Sequence, residues 1–550
     1  MQATDESSLA VLSRDKQAAS RGRWAALPPA LRSRSTLHWG LLFLVVFLSI
    51  HWQEVTSPTY DVDDWALIGK PINQAYESRP AWDVIYSLLF QNAFSPFFGW
   101  LIAAASLFSI AACLPLFLPS LAPAWIFFAA LLISLHTYLL DLFNFGFAIG
   151  LYLLPGALSL WGGVLIAYNP CPPLLGKRWL DAVAGVAMVA FAIGIYQPTA
   201  ILVVVLFAFD ILGRSLGTIR PAPGSLLRLM AGLLLGLLIY GVTARLAIIG
   251  HVPDYRTGLA SFSMFLVKLK SIGAYRDVYA TKVALLWRPA QILLSSTFLL
   301  MLLWLSMHLW RTVPKAEGRR HRLGLLWLSA GWCTVSPFLL YDVLQVGFPG
   351  RAFSFGNVGI VGFSVIGMAW LAGRSGSRQA RTRLITRALV SLLIVGYVIP
   401  QAAYASRIWE LAQLLERRDM AMAQAIAADV RSLSRTNPRL PAQPFRLFGT
   451  SERNQSFPHW SSVGESAFRA SWGIKAIFQQ LLGIEVEHLR SGSEGTPPSV
   501  ERSKLPACSA WPAASAIVAY QGRWLVCLED NPGSPTTADS SPLAGPQPGP

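Results

Sequence analysis

Charge is what this sequence is short of. Asp, Glu, Lys and Arg make up 13% of its 550 residues, where an ordinary soluble domain carries about 25%. With 53% hydrophobic residues and a mean hydropathy of +0.46, that scarcity excludes a soluble globular chain. An internal repeat is also missing, which weighs against transporter folds built from duplicated halves. No cleavable signal peptide is expected. A polar, Arg-containing leader of about 35 residues precedes the first apolar run, and no small-residue cleavage site follows it. Cysteine is scarce too. Cys113, Cys171 and Cys333 lie in or beside apolar runs, where they serve as small packing residues.

What the chain has in abundance is long apolar runs. Stretches of roughly 17 to 25 residues recur, each long enough to cross a hydrocarbon core. Read as spans they number about eleven, at roughly 36–52, 97–118, 122–140, 143–168, 180–196, 198–213, 227–249, 290–310, 322–340, 355–373 and 386–404. The net charge of +16 would suit a nucleic-acid partner if it formed a patch. Instead the Lys and Arg residues gather between runs, at Arg14 to Arg34, Lys177-Arg178, Arg214 to Arg228, Arg311 to Arg322 and Arg374 to Arg387. With the N-terminus inside, all of these clusters fall on the cytoplasmic side, so the charge encodes topology and no nucleic acid is expected. The stretch 180–213 has basic residues at both ends and must cross twice. It turns outside at Tyr196-Gln197-Pro198-Thr199, where Pro198 breaks the helical hydrogen bonding.

An odd number of spans puts the C-terminus outside. The expected fold is therefore a polytopic α-helical membrane protein with a C-terminal extracytoplasmic α/β module. Residues 1–35 read as a disordered cytoplasmic tail, 36–404 as the membrane domain, 405–529 as the module and 530–550 as a disordered Pro-rich tail. In the module, Arg407 to Val430 has the spacing of an amphipathic helix. Phe445 to Gly449 reads as a strand, and Ala516 to Glu529 as a hairpin turning at Gln521-Gly522. Cys508 and Cys527 share this module. A disulfide between them fits an oxidising compartment, although two cysteines alone do not establish one.

The outer loops hold the polar groups that need explaining. The loop after the first span carries Asp61, Asp63, Asp64, Lys70, Glu77 and Arg79. The loop after the seventh carries Arg256, Lys268, Lys270, Arg276, Lys282 and Arg288. Within it Phe262, Phe265, Leu266, Leu269 and Ile272 follow helical spacing, as in a helix lying flat at the interface. Cations outside run against the positive-inside trend. Anionic headgroups explain them without specificity, and an anionic substrate explains them with it. The acidic residues taken alone read as a solvated helix start. Taken with the cations, they match the needs of a lipid-phosphate sugar donor: cations for its phosphate and a carboxylate for the acceptor's proton. Arg351, beside Gly350 in the loop after the ninth span, suits either a phosphate or an interfacial anchor. Tyr196-Gln197 either hydrogen-bonds a sugar or ends a helix. Asp210 and Arg245 lie near span ends, where snorkelling accounts for them.

Several of these features occur in the order of a known family. Asp63-Asp64 follows the first span, Ser78-Arg79-Pro80 approaches the second, and Gly194-Ile195-Tyr196-Gln197-Pro198 turns between two short spans. The segments Phe448 to Ile484 and Leu505 to Leu528 then look like a terminal extracytoplasmic module. Over most of residues 36–529 the chain resembles the bacterial and phage serotype-conversion glucosyltransferases that decorate O-antigen, a GT-C-type membrane family. The resemblance implies transfer of a hexose, often glucose, from a polyprenyl-phosphate donor to a cell-surface polysaccharide on the periplasmic face of the inner membrane. It makes Asp63 and Asp64 the catalytic acid pair. Arg79, Arg256, Arg276, Arg351, Tyr196 and Gln197 are then candidates for holding the donor phosphate and sugar. Family members using monophosphate donors generally need no metal, so none is expected, although paired aspartates offer a divalent cation a place in principle. The expected partners are the lipid-linked donor, the polysaccharide acceptor, membrane lipids, and a donor-synthesising glucosyltransferase and a flippase in the same pathway. The long polar N-terminus and Pro-rich tail depart from the family pattern. A flippase or transporter of lipid-linked sugars, which would want charges deep in its spans, and a GT-C enzyme for another sugar are the competing readings.

Overall fold

The computed structural model describes residues 28–59, 79–91, 95–143, 145–146, 148–167, 177–219, 224–247, 249, 261–270, 288–315, 318–339, 355–373, 379–451, 466–491, 499–500 and 505–531. Among these, a first unit extends to Glu410 and a second begins at Leu411.

The first unit is helical throughout: α1 (Arg34–Ile50), α2 (Trp82–Phe90), α3 (Pro96–Ala111), α4 (Pro123–Ser134), α5 (Thr137–Phe143), α6 (Ile149–Ala167), α7 (Arg178–Ile195), α8 (Ala200–Leu216), α9 (Ser225–Ala247), α10 (Phe262–Lys270), α11 (Arg288–Thr312), α12 (Arg319–Val335), α13 (Asn357–Gly373) and α14 (Gln379–Leu393), leading into α15 (Ile399–Thr436). Among the described residues, 7 helical stretches are long and apolar enough to cross a membrane, and α1, α4 and α13 are apolar but shorter. The chain is a polytopic helical membrane protein. Prolines open α3 and α4 at their first helical position, where a missing N–H costs no intrahelical bond. Gly217 closes α8 in the left-handed conformation, with φ 68°.

Three boundaries differ from the sequence expectation. The run at 122–140 is two helices, α4 and α5, interrupted at Leu135 and His136. The run ending at 404 does not stop there: α14 continues through a π-helical turn, Ile394–Val398, into α15 as far as Thr436. Helix α12 opens with Arg319, Arg320 and Arg322, so its apolar part begins only after this basic turn. Asp210 also differs. It is 2% exposed and pairs at 2.7 Å with Arg214, one turn along α8, so the pairing explains its position and snorkelling does not.

Small residues let these helices come close. A Cβ on Gly185 of α7 would stand 2.5 Å from the Gly162 carbonyl oxygen of α6, and one on Gly162 would stand 2.8 Å from that of Gly185. Where no water-driven collapse pulls helices together, such backbone approach and its dispersion contacts hold them. Polar side chains tie the last long helix to its neighbours. Tyr397 donates to the Leu132 carbonyl at 3.3 Å, and Trp409 donates to His51 Nδ1 at 3.1 Å.

The second unit is an α/β fold. Its strands are β1 (Phe445–Phe448), β2 (Val486–Ser491), β3 (Ser499–Val500), β4 (Ile517–Tyr520) and β5 (Arg523–Cys527), in the order β3-β2-β1-β5-β4. All neighbours are parallel except β4 and β5, which form a hairpin with Gln521 at φ 49° and Gly522 at φ 75°. Side chains alternate between the sheet's faces. One face, with Phe445, Leu447, Val486, Trp524 and Val526, packs under Met422, Ala423, Ile426 and Val430 of α15. The other face carries Phe448, Leu489 and Leu525 beneath Leu505 and a disulfide that joins Cys508 to Cys527.

Candidate functional site

Two short irregular segments of the first unit meet. One is Arg79-Pro80-Ala81, leading into α2. The other is the turn from α7 to α8, where Gln197–Thr199 forms a single 3-10 turn. The Ala81 N–H donates to the Gly194 carbonyl at 3.1 Å. A Cβ on Gly194 would lie 3.2 Å from that of Ala81, so a side chain there would press directly on this join. The α7–α8 turn is braced from beneath, because Ser159 of α6 donates to the Thr199 carbonyl at 2.9 Å and the Thr199 hydroxyl donates to that of Tyr196 at 2.7 Å.

This join sets Arg79 among aromatic rings. Its guanidinium carbon is 5.6 Å from the Trp82 ring centre, 5.9 Å from Tyr196 and 6.0 Å from Tyr152. The rings contact one another, with centres 4.6 Å apart for Tyr152 and Tyr196 and 5.4 Å apart for Trp82 and Tyr152. Trp82, Tyr152 and Tyr196 are buried, while Arg79 is half-buried. Beside them Gln197 Nε2 donates to the Tyr240 hydroxyl of α9 at 3.2 Å. Rings that hold a guanidinium by cation–π attraction fix its plane, and a fixed guanidinium presents its donors in the fork that matches phosphate or carboxylate oxygens.

From this cluster an apolar groove of about 600 Å³ runs along α7, lined from Ala182 through Val186 and Ala190 to Gly194. Pro80, Ala81 and Val84 form one wall and Leu235, Ile239 and Thr243 the other. At the helical rise, its length from Ala182 to Gly194 is about 18 Å. The Thr243 hydroxyl is engaged by its own helix, at 2.9 Å from the Tyr240 carbonyl and 3.0 Å from that of Ile239. The groove is therefore suited to an aliphatic chain, and the cation stands at its Gly194 end.

Of the residues expected to form a site, the structure brings Arg79, Tyr196 and Gln197 together. Asp63, Asp64, Arg256, Arg276 and Arg351 lie outside the described residues, as does Cys171. Among the described residues, no group of three His, Cys, Asp or Glu side chains is placed to hold a metal ion. Trp82, Tyr152 and Tyr240 belong to the cluster but were not expected there. The available signal was weak: each is a polar-tipped aromatic in an apolar run, and such residues need a partner when buried. No family model, no curated protein and no solved structure matches this chain.

Proposed function

We propose that this protein is a membrane glycosyltransferase that moves a hexose from a polyprenyl-phosphate donor to a cell-surface polysaccharide. One observation carries the reading: a guanidinium, Arg79, held by Trp82, Tyr152 and Tyr196 at the end of an apolar groove. An amphiphile with an anionic head and a long aliphatic tail is the ligand this pairing suits. The finer topology that goes with it is eleven crossings of the inner membrane, a cytoplasmic N-terminus and a periplasmic C-terminal module.

In this mechanism the donor's isoprenoid tail lies in the groove and its phosphate meets Arg79, with Arg256, Arg276 and Arg351 as further cations. Gln197 and Tyr240 offer hydrogen bonds to the sugar. Asp63 or Asp64 takes the proton of the acceptor hydroxyl as its oxygen bonds to the anomeric carbon. The bond from that carbon to the phosphate oxygen breaks with its electron pair going to the phosphate, and the configuration inverts. Positive charge developing on the ring is stabilised by the same carboxylates, as in glycosidases. No step is routed through a metal.

The test is transfer by full-length protein in liposomes, with polyprenyl-phosphate glucose as donor and the host's own surface polysaccharide as acceptor. Arg79→Gln is expected to lower donor use about 10- to 100-fold, the range for losing a hydrogen bond to a charged group, with Arg79→Lys intermediate. Asp63→Asn and Asp64→Asn are expected to abolish transfer between them. Normal transfer by both Asn variants would remove the catalytic assignment. Movement of the intact donor across the bilayer without transfer would favour a flippase.

A further inference from the structure

One side-chain network in the second unit is unused by this mechanism. Strand register puts Arg446 of β1 beside Glu487 of β2 and Leu525 of β5, and puts Tyr520 of β4 opposite Arg523. Alternation therefore sets Arg446, Glu487, Arg523 and Tyr520 on one face of the sheet. Arg446 Nε donates to Glu487 at 2.9 Å, and Arg523 approaches the same carboxylate oxygen at 3.5 Å. Arg446 Nη1 donates to Gln521 Oε1 at 2.7 Å, Gln521 Nε2 donates to the Tyr520 hydroxyl at 3.1 Å, and the Arg446 guanidinium lies 5.5 Å from the Tyr520 ring centre. Further along, the same face is closed by Leu505 and the disulfide, but this margin is open: Glu487 and Arg523 are 41% and 39% exposed.

We infer that this margin is a glycan-binding subsite that holds the polysaccharide acceptor. Sugars present hydroxyls that both donate and accept, together with apolar C–H faces. The margin answers with guanidinium donors, carboxylate and amide acceptors and a phenol ring, fixed by the strands and by the turn between β4 and β5. A membrane headgroup would want unopposed cations, but here two guanidiniums share one carboxylate. A protein partner would want an apolar anchor, yet among the described residues of the second unit the large apolar side chains that are exposed are Leu414 and Leu481, outside the network.

Gln521 adds an independent observation. It is a non-glycine residue at φ 49° in a two-residue hairpin, where Asn or Gly is the easier choice. Backbone strain of this kind points to a role for the side chain, and this side chain is the link between Arg446 and Tyr520.

The inference rests on the proposed glycan transfer for calling the ligand an acceptor. Binding is therefore measured without donor, so that failure of the subsite and failure of the transferase reading give different results. The probe is polysaccharide released by mild acid from the host's surface glycan, titrated into full-length protein in nanodiscs. Arg523→Gln and Glu487→Gln are each expected to weaken binding about tenfold. Gln521→Asn keeps the preferred turn chemistry, so thermal stability should be retained while binding falls. Arg431→Gln removes an equal charge from the exposed face of α15 and should change nothing. Wild-type affinity in both Gln521→Asn and Arg523→Gln would overturn the subsite, as would an equal loss in Arg431→Gln. So would loss, in these variants, of binding to phosphatidylglycerol vesicles with no polysaccharide binding in the wild type.

Discussion

The two units are held together by opposite means. In the first, α6 and α7 approach until the Gly162 and Gly185 backbones touch. In the second, Phe445, Phe468, Phe478, Ile477 and Trp524 fill the space between sheet and helix. Helices surrounded by lipid gain nothing by hiding Leu from Leu, so close packing must come from small residues. A fold of the water-soluble kind gains by removing large apolar side chains from water. The same substitution logic should therefore run in reverse in the two units: adding atoms damages the first, and removing atoms damages the second.

Gly185→Leu is the largest expected break. Its Cβ alone would stand 2.5 Å from backbone oxygen and 2.9 Å from Ile166, and neither helix can yield without opening the contact. Folded protein recovered as a single size-exclusion peak in detergent should fall to background, and full recovery would end the comparison for the first unit. Phe478→Ala comes next. Its ring is fully buried, 5.5 Å from Phe445 and 6.2 Å from Phe468, so the second unit should lose about 3–5 kcal/mol in chemical denaturation. A loss below about 1 kcal/mol would mean that this core is looser than its burial implies.

The smallest effect sharpens the comparison through pH. Glu416 lies in the second unit, beyond the apolar stretch 386–404. Burial, then the Asp419 charge, push its carboxyl from the usual 4.5 up to about 7, with Arg417 opposing. Between those two values the folded protein binds the proton more tightly than the unfolded chain does. Stability is therefore lost as pH rises through this window. Glu416→Gln should raise Tm at pH 8 and leave it nearly unchanged at pH 5. An equal shift at both pH values would assign the effect to packing.

Much of this architecture was legible in the residues, for physical reasons that also mark where reading failed. Apolar runs located the helices, because a chain in lipid must satisfy its backbone internally. Helix ends were less legible. Pro155 lies inside α6 without ending it, while His136 interrupts a run that composition alone would leave whole. Strand β2 was missed because His488 is on the buried face, where its Nε2 lies 2.8 Å from the Gly449 carbonyl, and so breaks the apolar alternation. In the site, Arg79 and Tyr196-Gln197 stood out because they are polar groups at span ends. Tyr152 and Tyr240 did not, because periodicity counts a buried tyrosine as one more apolar residue. Asp63 and Asp64 remain where the sequence reading left them, a proposal awaiting the Asn variants.

The groove along α7 has one more consequence. Val183 and Val84 on its walls are 59% and 49% exposed, and Leu235 opposite is 48% exposed. A groove open along its flank is entered sideways, by diffusion in two dimensions within the bilayer. Under the proposed function its occupancy would follow the mole fraction of the donor among the surrounding lipids, and the volume of the aqueous sample would drop out. Adding detergent at constant protein and donor would empty it by dilution alone, and returning lipid would fill it again.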